Sequence, residues 1–579
     1  MAPAQIFSPV EDLPRIPDDL TLTQFTLDYQ HPCRPVRKTG TPWIIEEHTG
    51  RRIGLEEVWL LRTRTYGLAN ALKIRYDIKE DDVVLIYSPN HVDYLVAIWA
   101  AHRLGAIMSG ANPLFTTAEL VYQIEATKAT VIITHPESLP VALSAARETG
   151  LHSDRIVMFD TGSFKNSQTD TVETLITQGL ASPPRFTERK LRSGEGKTKV
   201  AFLSFSSGTT GKPKAVVIPH YASIAHVIQV ASFHKVNENY APWEEQRYRP
   251  GDICCAVVPL YHIYGLLNNT HFIFFAGMSI VLSTRFNLTD FLRSIDKYRI
   301  THLFLVPTHV VLLCKHPDVK NYDLNSVRYI VSGGAPLTRE TLEQLVKLFP
   351  NASMGQGYGT TESSAGISIF PLDKKRDLSG SSGKLYPGIT ARVERPDGSL
   401  AEFDELGELV VKSPSLALGY ANNHDATREA FVNGWYRTGD EVRLTSSGEV
   451  FVVDRLKEMI KVRGFQVAPA ELEGCILDHS DVADTCVVSI QDEYSGELPF
   501  AYVVLHPEPA TRVRENPGVE EEIKKSIMKH VADNKVAYKK LAGGVEFIEV
   551  IPKNPSGKLL RRVLRDKARH SALKPKARL

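Results

Sequence analysis

Cysteine is scarce and unpatterned in this chain of 579 residues. Cys33, Cys254, Cys255, Cys314, Cys475 and Cys486 show no C-x-x-C spacing, which argues against a disulfide framework or a common zinc site. They read as reduced, mostly buried thiols. Net charge is also nearly absent: the formal value is +1, so no global field draws the chain to nucleic acid, and any phosphate ligand must be held by local charges. Long hydrophobic runs are missing too. The most apolar long segment, His271 to Leu282, falls short of the roughly 20 residues that cross a bilayer and reads as core, so no membrane span is expected. The amino terminus, MAPAQIFSPVEDLPRIPDD, has acids and prolines where a secretory peptide needs a basic start and an apolar run.

What the chain does have is core-forming sequence. Hydrophobic residues make up 43% and charged residues 23%, a globular composition, and the length calls for two or more packed units. Residues 1–53 are Pro-rich and read as irregular, with Phe25, Tyr29 and Trp43 as aromatic anchors over the main body. From Leu55 strands alternate with helices. Strands are expected at Val83–Ser88, Ala129–Thr134, Arg155–Phe159, Ile253–Pro259, Ser279–Ser283, His302–Val306 and Val327–Ser332, with helices at 56–72, Val92–Leu104, Leu288–Tyr298 and 338–349. Such alternation predicts an α/β fold with mostly parallel sheets, and ligands at the carboxyl ends of the strands. Asn237–Asp252 reads as a surface excursion. Beyond Ala391 the texture becomes all-β, predicting a small β subdomain over about 391–453, and from Asp454 a compact α+β module follows. The division is therefore 1–453 and 454–579.

The chemistry concentrates at Val200 to Val217, VAFLSFSSGTTGKPKAVV. A short strand leads into Ser206, Ser207, Gly208, Thr209, Thr210, Gly211, Lys212, Pro213 and Lys214, a segment of open backbone amides, hydroxyls and ammonium groups suited to polyphosphate oxygens. Its glycines are too close together, and Lys212 is followed by Pro213, so it is not the G-x-x-x-x-G-K-[ST] loop. Taken alone, a polar turn would explain it as well. Further along, Gln356-Gly-Tyr-Gly-Thr-Thr-Glu-Ser363 offers a ring to stack on a base and a carboxylate, Glu362, for Mg²⁺. Asp440, in Tyr436-Arg-Thr-Gly-Asp440, suits ribose hydroxyls. Asp454 to Gln466 is rich in cations, and Pro555-Ser-Gly-Lys558 sets a lysine on a glycine-containing turn. Each cluster has an ordinary structural reading.

Their order does not. SSGTTGKPKAV at 206–216, PLYHIYG at 259–265, SGGAP at 332–336, QGYGTTES at 356–363, YRTGD at 436–440, VDRLKEMIKVRGFQVAPAELE at 453–473 and PSGK at 555–558 together resemble the adenylate-forming superfamily of acyl-CoA and aryl-CoA ligases, luciferases and adenylation domains. Coverage is nearly the whole chain, and the PLYHIYG and KVRGFQVAPAELE forms look most like 4-coumarate:CoA ligases and their fungal relatives. Two positions depart from the pattern: Ala215 stands where many members have Gly, and Gly334 gives SGGAP its luciferase-like form.

The resemblance implies a large N-terminal domain and a small, mobile C-terminal domain hinged near Lys457. It implies ATP, Mg²⁺ and coenzyme A as cofactors, a small-molecule carboxylic acid as partner, and a two-step reaction through acyl-AMP. Ser206, Ser207, Gly208, Thr209, Thr210, Gly211 and Lys214 would wrap the phosphates, and Gln356, Gly357, Tyr358, Gly359 and Thr361 would line the adenine side. Glu362 would bind the metal; Asp440 and Arg455 would hold the ribose. Lys558 would bridge the carboxylate and the α-phosphate. Rotation about Lys457 would withdraw it and bring up Lys461 and Gln466. His262 and Tyr264 would gate an acyl pocket bounded by Ser332, Gly333, Gly334 and Gly357. The favoured activity is an ATP-dependent ligase for an aromatic or medium-chain acid. A stand-alone adenylating enzyme serving a carrier protein, a luciferase-like oxygenase and a nucleotide-binding regulatory relative are the competing readings. Finally, Ala577-Arg578-Leu579 is a conservative variant of the S-K-L peroxisomal address, so a peroxisomal import receptor and a peroxisomal location are expected, with the cytoplasm otherwise.

Overall fold

In a computed structural model of the chain, the described residues are all but 1–5, 10–11, 55–57, 162–168, 207–212, 336, 338, 457, 463–464, 493–494, 536, 554–558 and 573–579. They form four sheets. One has six strands in the order Ile156–Met158, Ala129–Thr134, Val83–Tyr87, Ile107–Ala111, Val200–Ser206 and Lys214–Pro219. It is parallel except for its last pair, in which Ser206 opposes Lys214. The second has nine strands, with Ser353–Tyr358, Tyr329–Ser332, His302–Leu305, Ile253–Ala256, Ser279–Leu282 and Ile44–Glu46 parallel in its middle. Val83–Tyr87, with all five residues apolar and buried, shows the usual form of a parallel strand covered on both faces, whereas Ser353–Tyr358 reads SMGQGY and ends at the ligand side.

The two large sheets share helices. Tyr94–Arg103 is buried at all ten positions, which an amphipathic surface helix could not be. Its Trp99 meets Trp43 at 6.4 Å beside the nine-stranded sheet, while His102 Nε2 donates to Ala201 O at 3.0 Å on the six-stranded one. His271 accepts from Trp99 Nε1 at 3.2 Å, so the apolar stretch around it is core, as its composition predicts.

Two segments differ from their sequence reading. The N-terminal stretch is not wholly irregular: Thr21 caps a helix at Leu22–Leu27, and Ile44–Glu46 joins the nine-stranded sheet beside Ser279–Leu282. Elements of three to six residues are too short to show a period, and long-range pairing decides them. Asn237–Asp252 leaves Trp243 half exposed, but Arg247 and Tyr248 turn inward. Arg247 lies 4.2 Å over the Phe370 ring and donates to Phe370 O and Pro371 O, so its charge is paired with carbonyls rather than water.

Thr390–Glu394, Leu406–Lys412, Trp435–Leu444 and Val450–Arg455 build an antiparallel sheet interrupted by the helix His424–Ala430. The fourth sheet starts at Ile460 and carries the helices Pro469–Leu477, Pro507–Glu515 and Pro517–Asn534, packed through Ile460, Leu472, Ile476, Val487, Ile523 and Ile527. No helix among the described residues is long and apolar enough to cross a membrane.

Candidate active site

A cavity of about 830 Å³ opens where the parallel strands end. Asn112, Val306 and Gly333, each the residue following a strand, line it together with Tyr358, the last residue of another. The antiparallel subdomain supplies Tyr436, Arg437, Thr438 and Gly439 to the wall, and Arg455 follows from its last strand. This is where an open α/β sheet leaves backbone groups free for a ligand.

At one side, Tyr358 donates its hydroxyl to Asp440 Oδ2 at 2.6 Å, and Arg455 Nε lies 3.4 Å from Asp440 Oδ1. Sheet register makes this contact, because Asp440 and Arg455 are paired residues on adjacent antiparallel strands. Burial raises the Tyr358 phenol well above its ordinary value, and the Asp440 charge adds to it, so Tyr358 stays protonated and donates. For Arg455, burial would lower the guanidinium, but the Asp440 and Glu458 carboxylates outweigh it and the net shift is upward. A fixed cation thus faces the cavity. Tyr358, Gly359, Thr360 and Thr361 form the adjoining wall.

A second row runs through Glu362. Tyr420 donates to Glu362 Oε1 at 2.8 Å, and Lys214 Nζ sits 4.8 Å from the Tyr420 ring centre. One tyrosine therefore holds a carboxylate by its hydroxyl and a cation by its face. Burial raises the Tyr420 phenol, and the Glu362 charge raises it further, which again fixes the donor. Among the described residues no group of three or more His, Cys, Asp or Glu could form a protein-only metal cage. A single carboxylate such as Glu362 suits Mg²⁺, which keeps its waters and, with a phosphate ligand bound, takes much of its coordination from the phosphates.

The other side of the cavity is mostly apolar. Val230, Phe304, Val306, Val331 and Ile369 line it with His262, Tyr264 and Asn268. Tyr264–Phe272 has wide π-helical turns, an arrangement found often at functional sites. His262 Nδ1 accepts from Tyr264 N at 3.3 Å, which fixes the imidazole at the head of this helix. A Cβ built on Gly333 would reach Tyr264 at 3.7 Å and Gly357 O at 3.5 Å, ordinary contacts, so glycine here leaves space without being sterically required. Gly334 differs, since its φ of +88° belongs to the left-handed region.

Ser206, Lys214, Gly357, Tyr358, Gly359, Thr361, Glu362, Arg455, His262, Tyr264, Gly333 and Gly334 all line the cavity. Asp440 supports it from behind through Tyr358. Gln356 does not line it; its Oε1 accepts from Leu337 N at 2.7 Å and pins the turn after Ser332, itself buried. Ser207, Gly208, Thr209, Thr210, Gly211, Lys457 and Lys558 lie outside the described residues, as do the side chains of Lys461 and Gln466. Around Lys558, however, Lys553 pairs with Leu559, and Lys553 and Leu560 line the cavity. Sequence reasoning did not single out Tyr420, Lys553 or Asn268. Tyr420 stands 58 positions from Glu362, and no local pattern links the two.

A family model described as AMP-binding enzyme matches residues 60–421, well over half of the chain. The chain belongs to the AMP-binding enzyme family. A second model, the AMP-binding enzyme C-terminal domain, matches residues 471–558. Among curated relatives, this AMP-binding enzyme is 34% identical over 555 residues to 4-coumarate-CoA ligase 1 of Narcissus pseudonarcissus, covering 95% of this chain and 94% of the relative. It is 36% identical over 497 residues to 4-coumarate:CoA ligase 1 of Petunia hybrida, covering 84% and 85%. Among solved structures, an anthranilate CoA ligase in complex with anthranoyl-AMP superposes with a TM-score of 0.80 at 22% identity, over 96% of this chain and 98% of that one. That likeness shows the fold.

Proposed function

We propose that this AMP-binding enzyme is an ATP-dependent acid–thiol ligase that converts an aromatic or medium-chain carboxylic acid to its CoA thioester. One observation carries the reading. A single cavity is lined both by a polar wall (Lys214, Glu362, Tyr358 and Arg455) and by an apolar recess headed by His262. The polar wall suits a nucleotide triphosphate with Mg²⁺ and the recess suits an acyl group. Curated relatives named 4-coumarate-CoA ligases, matching along nearly the whole chain, support the reaction class.

A carboxylate is a poor acyl donor because its leaving group would be oxide. In the first step a carboxylate oxygen attacks the α-phosphorus of ATP; the bond to the β-phosphate oxygen breaks, giving acyl-AMP and pyrophosphate. In the second, the CoA thiol sulfur attacks the acyl carbon and AMP leaves with the electron pair, the thiol proton passing to solvent. Two anions meet in the first step, so cation placement and positioning dominate over proton transfer. Lys214 and the 207–212 loop would neutralise the departing pyrophosphate, with Glu362 holding the metal. Asp440 and Arg455 would fix the ribose and Tyr358 the adenine side. Lys558 would meet the charge developing at the α-phosphate. His262 would orient the acyl group rather than act as a base, since carboxylic acids are already ionised at neutral pH. We extend the proposal to import into peroxisomes through Ala577-Arg578-Leu579, tested by deleting those three residues in a fluorescent fusion.

The deciding experiment is acid-dependent pyrophosphate release across cinnamic, phenylacetic, benzoic and fatty acids, followed by CoA consumption with the best of them. Release without CoA use would move the assignment to carrier-protein loading. Lys558→Ala should slow acyl-AMP formation by about 10²- to 10³-fold. Formation at the native rate would remove Lys558 from the proposed mechanism.

A further inference from the structure

The C-terminal unit touches the cavity through Lys553 and Leu560, which bracket Lys558 in sequence. Lys553 is tethered: its Nζ lies 2.6 Å from Asp484 Oδ2. Asp484 stands near the start of the strand Val482–Asp492, and that start is bulged. Val482 pairs with Leu505 and Asp484 with Val504, so Ala483 is the extra residue, an arrangement that interrupts the ladder and re-aims side chains. Lys315 reaches this bulge from the larger body, where its Nζ donates to Val482 O at 3.3 Å. It is the last residue of the helix Pro307–Lys315, whose first turn follows Val306 in the cavity wall.

The charges around this contact act in both directions. Partial burial lowers the Lys315 ammonium, while Asp484 and Asp478 work to raise it, so a cation of the larger body sits among carboxylates of the C-terminal unit. The Asp478 carboxyl is raised by partial burial and then by Glu340, with His530, Lys535 and Lys315 acting against them. Glu340 belongs to the helix Arg339–Leu348 of the larger body. That body therefore offers one acidic patch both a cation that attracts it and an anion that repels it. An ion pair at a partly exposed seam is weak, and an opposed one is weaker still. Such a seam suits a unit that docks for one step and leaves for the next. Resting on the ligase reading above, we propose that Lys315 is a positioning residue for acyl-AMP formation: by gripping the bulge at Val482–Asp484 it holds the C-terminal unit in the orientation that presents Lys553 and Leu560 to the cavity, against the repulsion of Glu340.

The test uses the full-length enzyme, its best acid among cinnamate, phenylacetate, benzoate and decanoate, and the synthetic acyl-AMP of that acid, so that each half-reaction is timed alone. Losing one weak pair from a near-balanced equilibrium changes the docked population several-fold, so Lys315→Met should slow single-turnover acyl-AMP formation about three- to tenfold. Thioester formation from added acyl-AMP and CoA should keep its rate in that variant, and so should the thermal midpoint keep its value. Lys315→Glu, which sets a like charge against Asp478 and Asp484, should slow the first step further, and adding Asp478→Lys should restore it at least in part. Glu340→Gln removes the repulsion and should leave the first step undiminished. Equal slowing of both half-reactions in Lys315→Met, native acyl-AMP formation in Lys315→Glu, no recovery in the charge swap, or slower acyl-AMP formation in Glu340→Gln would overturn the assignment while leaving the ligase reading intact. No pyrophosphate release by the unaltered enzyme with any of these acids would overturn the ligase reading itself.

Discussion

Tyr420 is the most instructive residue to change, because its ring and its hydroxyl do separate jobs. In Tyr420→Phe the ring stays beneath Lys214, 4.8 Å from Nζ, while the 2.8 Å hydrogen bond to Glu362 Oε1 is lost. A hydrogen bond to a charged partner is worth about 1.5–3 kcal/mol, and leaving Glu362 short of a donor in a site where it is only 7% exposed keeps the cost in that range. Since 1.4 kcal/mol is about tenfold, kcat/KM for ATP should fall roughly 10- to 100-fold in acid-dependent pyrophosphate release. Tyr420→Ala removes the cation's platform as well and should cost about a further 0.5–1 kcal/mol. The assay is initial pyrophosphate release at saturating acid with ATP and Mg²⁺ varied separately. Tyr420→Phe should raise the Mg²⁺ requirement, because Glu362 loses the contact that orients it. A Tyr420→Phe enzyme with native kcat/KM and native Mg²⁺ dependence would refute the argument that Glu362 is positioned through this hydroxyl.

Gly333→Ala adds a methyl at ordinary contact distance from Tyr264 and Gly357, so thermal stability should change little while KM for bulky aromatic acids rises several-fold; an unchanged KM would show that the acyl group does not pass Gly333. Arg561→Ala removes the partner of Glu458 at 2.7 Å and of Glu473 at 2.5 Å, and since all three side chains are nearly buried the C-terminal unit should lose about 3–5 kcal/mol in denaturant unfolding. Arg561→Lys should recover part of that loss, and full stability in Arg561→Ala would refute the pairing. Burial pushes His226, His271, His302 and His309 down to about 4. An unfolded histidine titrates near 6.5, so below that pH the unfolded chain binds more protons; the stability is present above about pH 6.5 and is lost as pH falls toward 4, by up to roughly 1.4 kcal/mol per histidine per pH unit. Thermal midpoints measured from pH 7.5 to 5 should fall progressively faster, and a flat profile would contradict the burial of these rings.

Legibility from sequence followed the range of the interactions. Ala129–Thr134 and Leu288–Tyr298 were readable to the residue, because a β-branched run and an amphipathic period are local signals. The motif order located Tyr358, Glu362, Asp440 and Arg455, and the structure brings three of them to one cavity with Asp440 behind, held to Tyr358. What sequence could not provide was how the strands divide between two large sheets and which helix packs between them, since Trp99 against Trp43 and His102 against Ala201 join positions 56 and 99 residues apart. The inward turn at Arg247 was hidden for a different reason. A charged residue in a polar stretch reads as exposed, and only the Phe370 and Tyr329 rings with their neighbouring carbonyls make it an interior cation.

The placement of the site follows from the sheets rather than from any single motif. A parallel strand must be followed by a crossover, so its carboxyl end always releases the chain into a loop. Two parallel sheets packed through common helices bring several such ends together, which is why Asn112, Val306, Gly333 and Tyr358 meet although up to 246 positions separate them. The antiparallel sheet cannot do this, and it contributes differently: its register holds Asp440 opposite Arg455, a pairing that a one-residue slip would turn to the other face. Lys553 and Leu560 reach the same cavity from the fourth sheet's unit, in which Arg561 is tied to Glu458, the first described residue after position 457. A change at Arg561 is therefore felt at both ends of that unit, where it leaves the larger body and where it returns to the cavity.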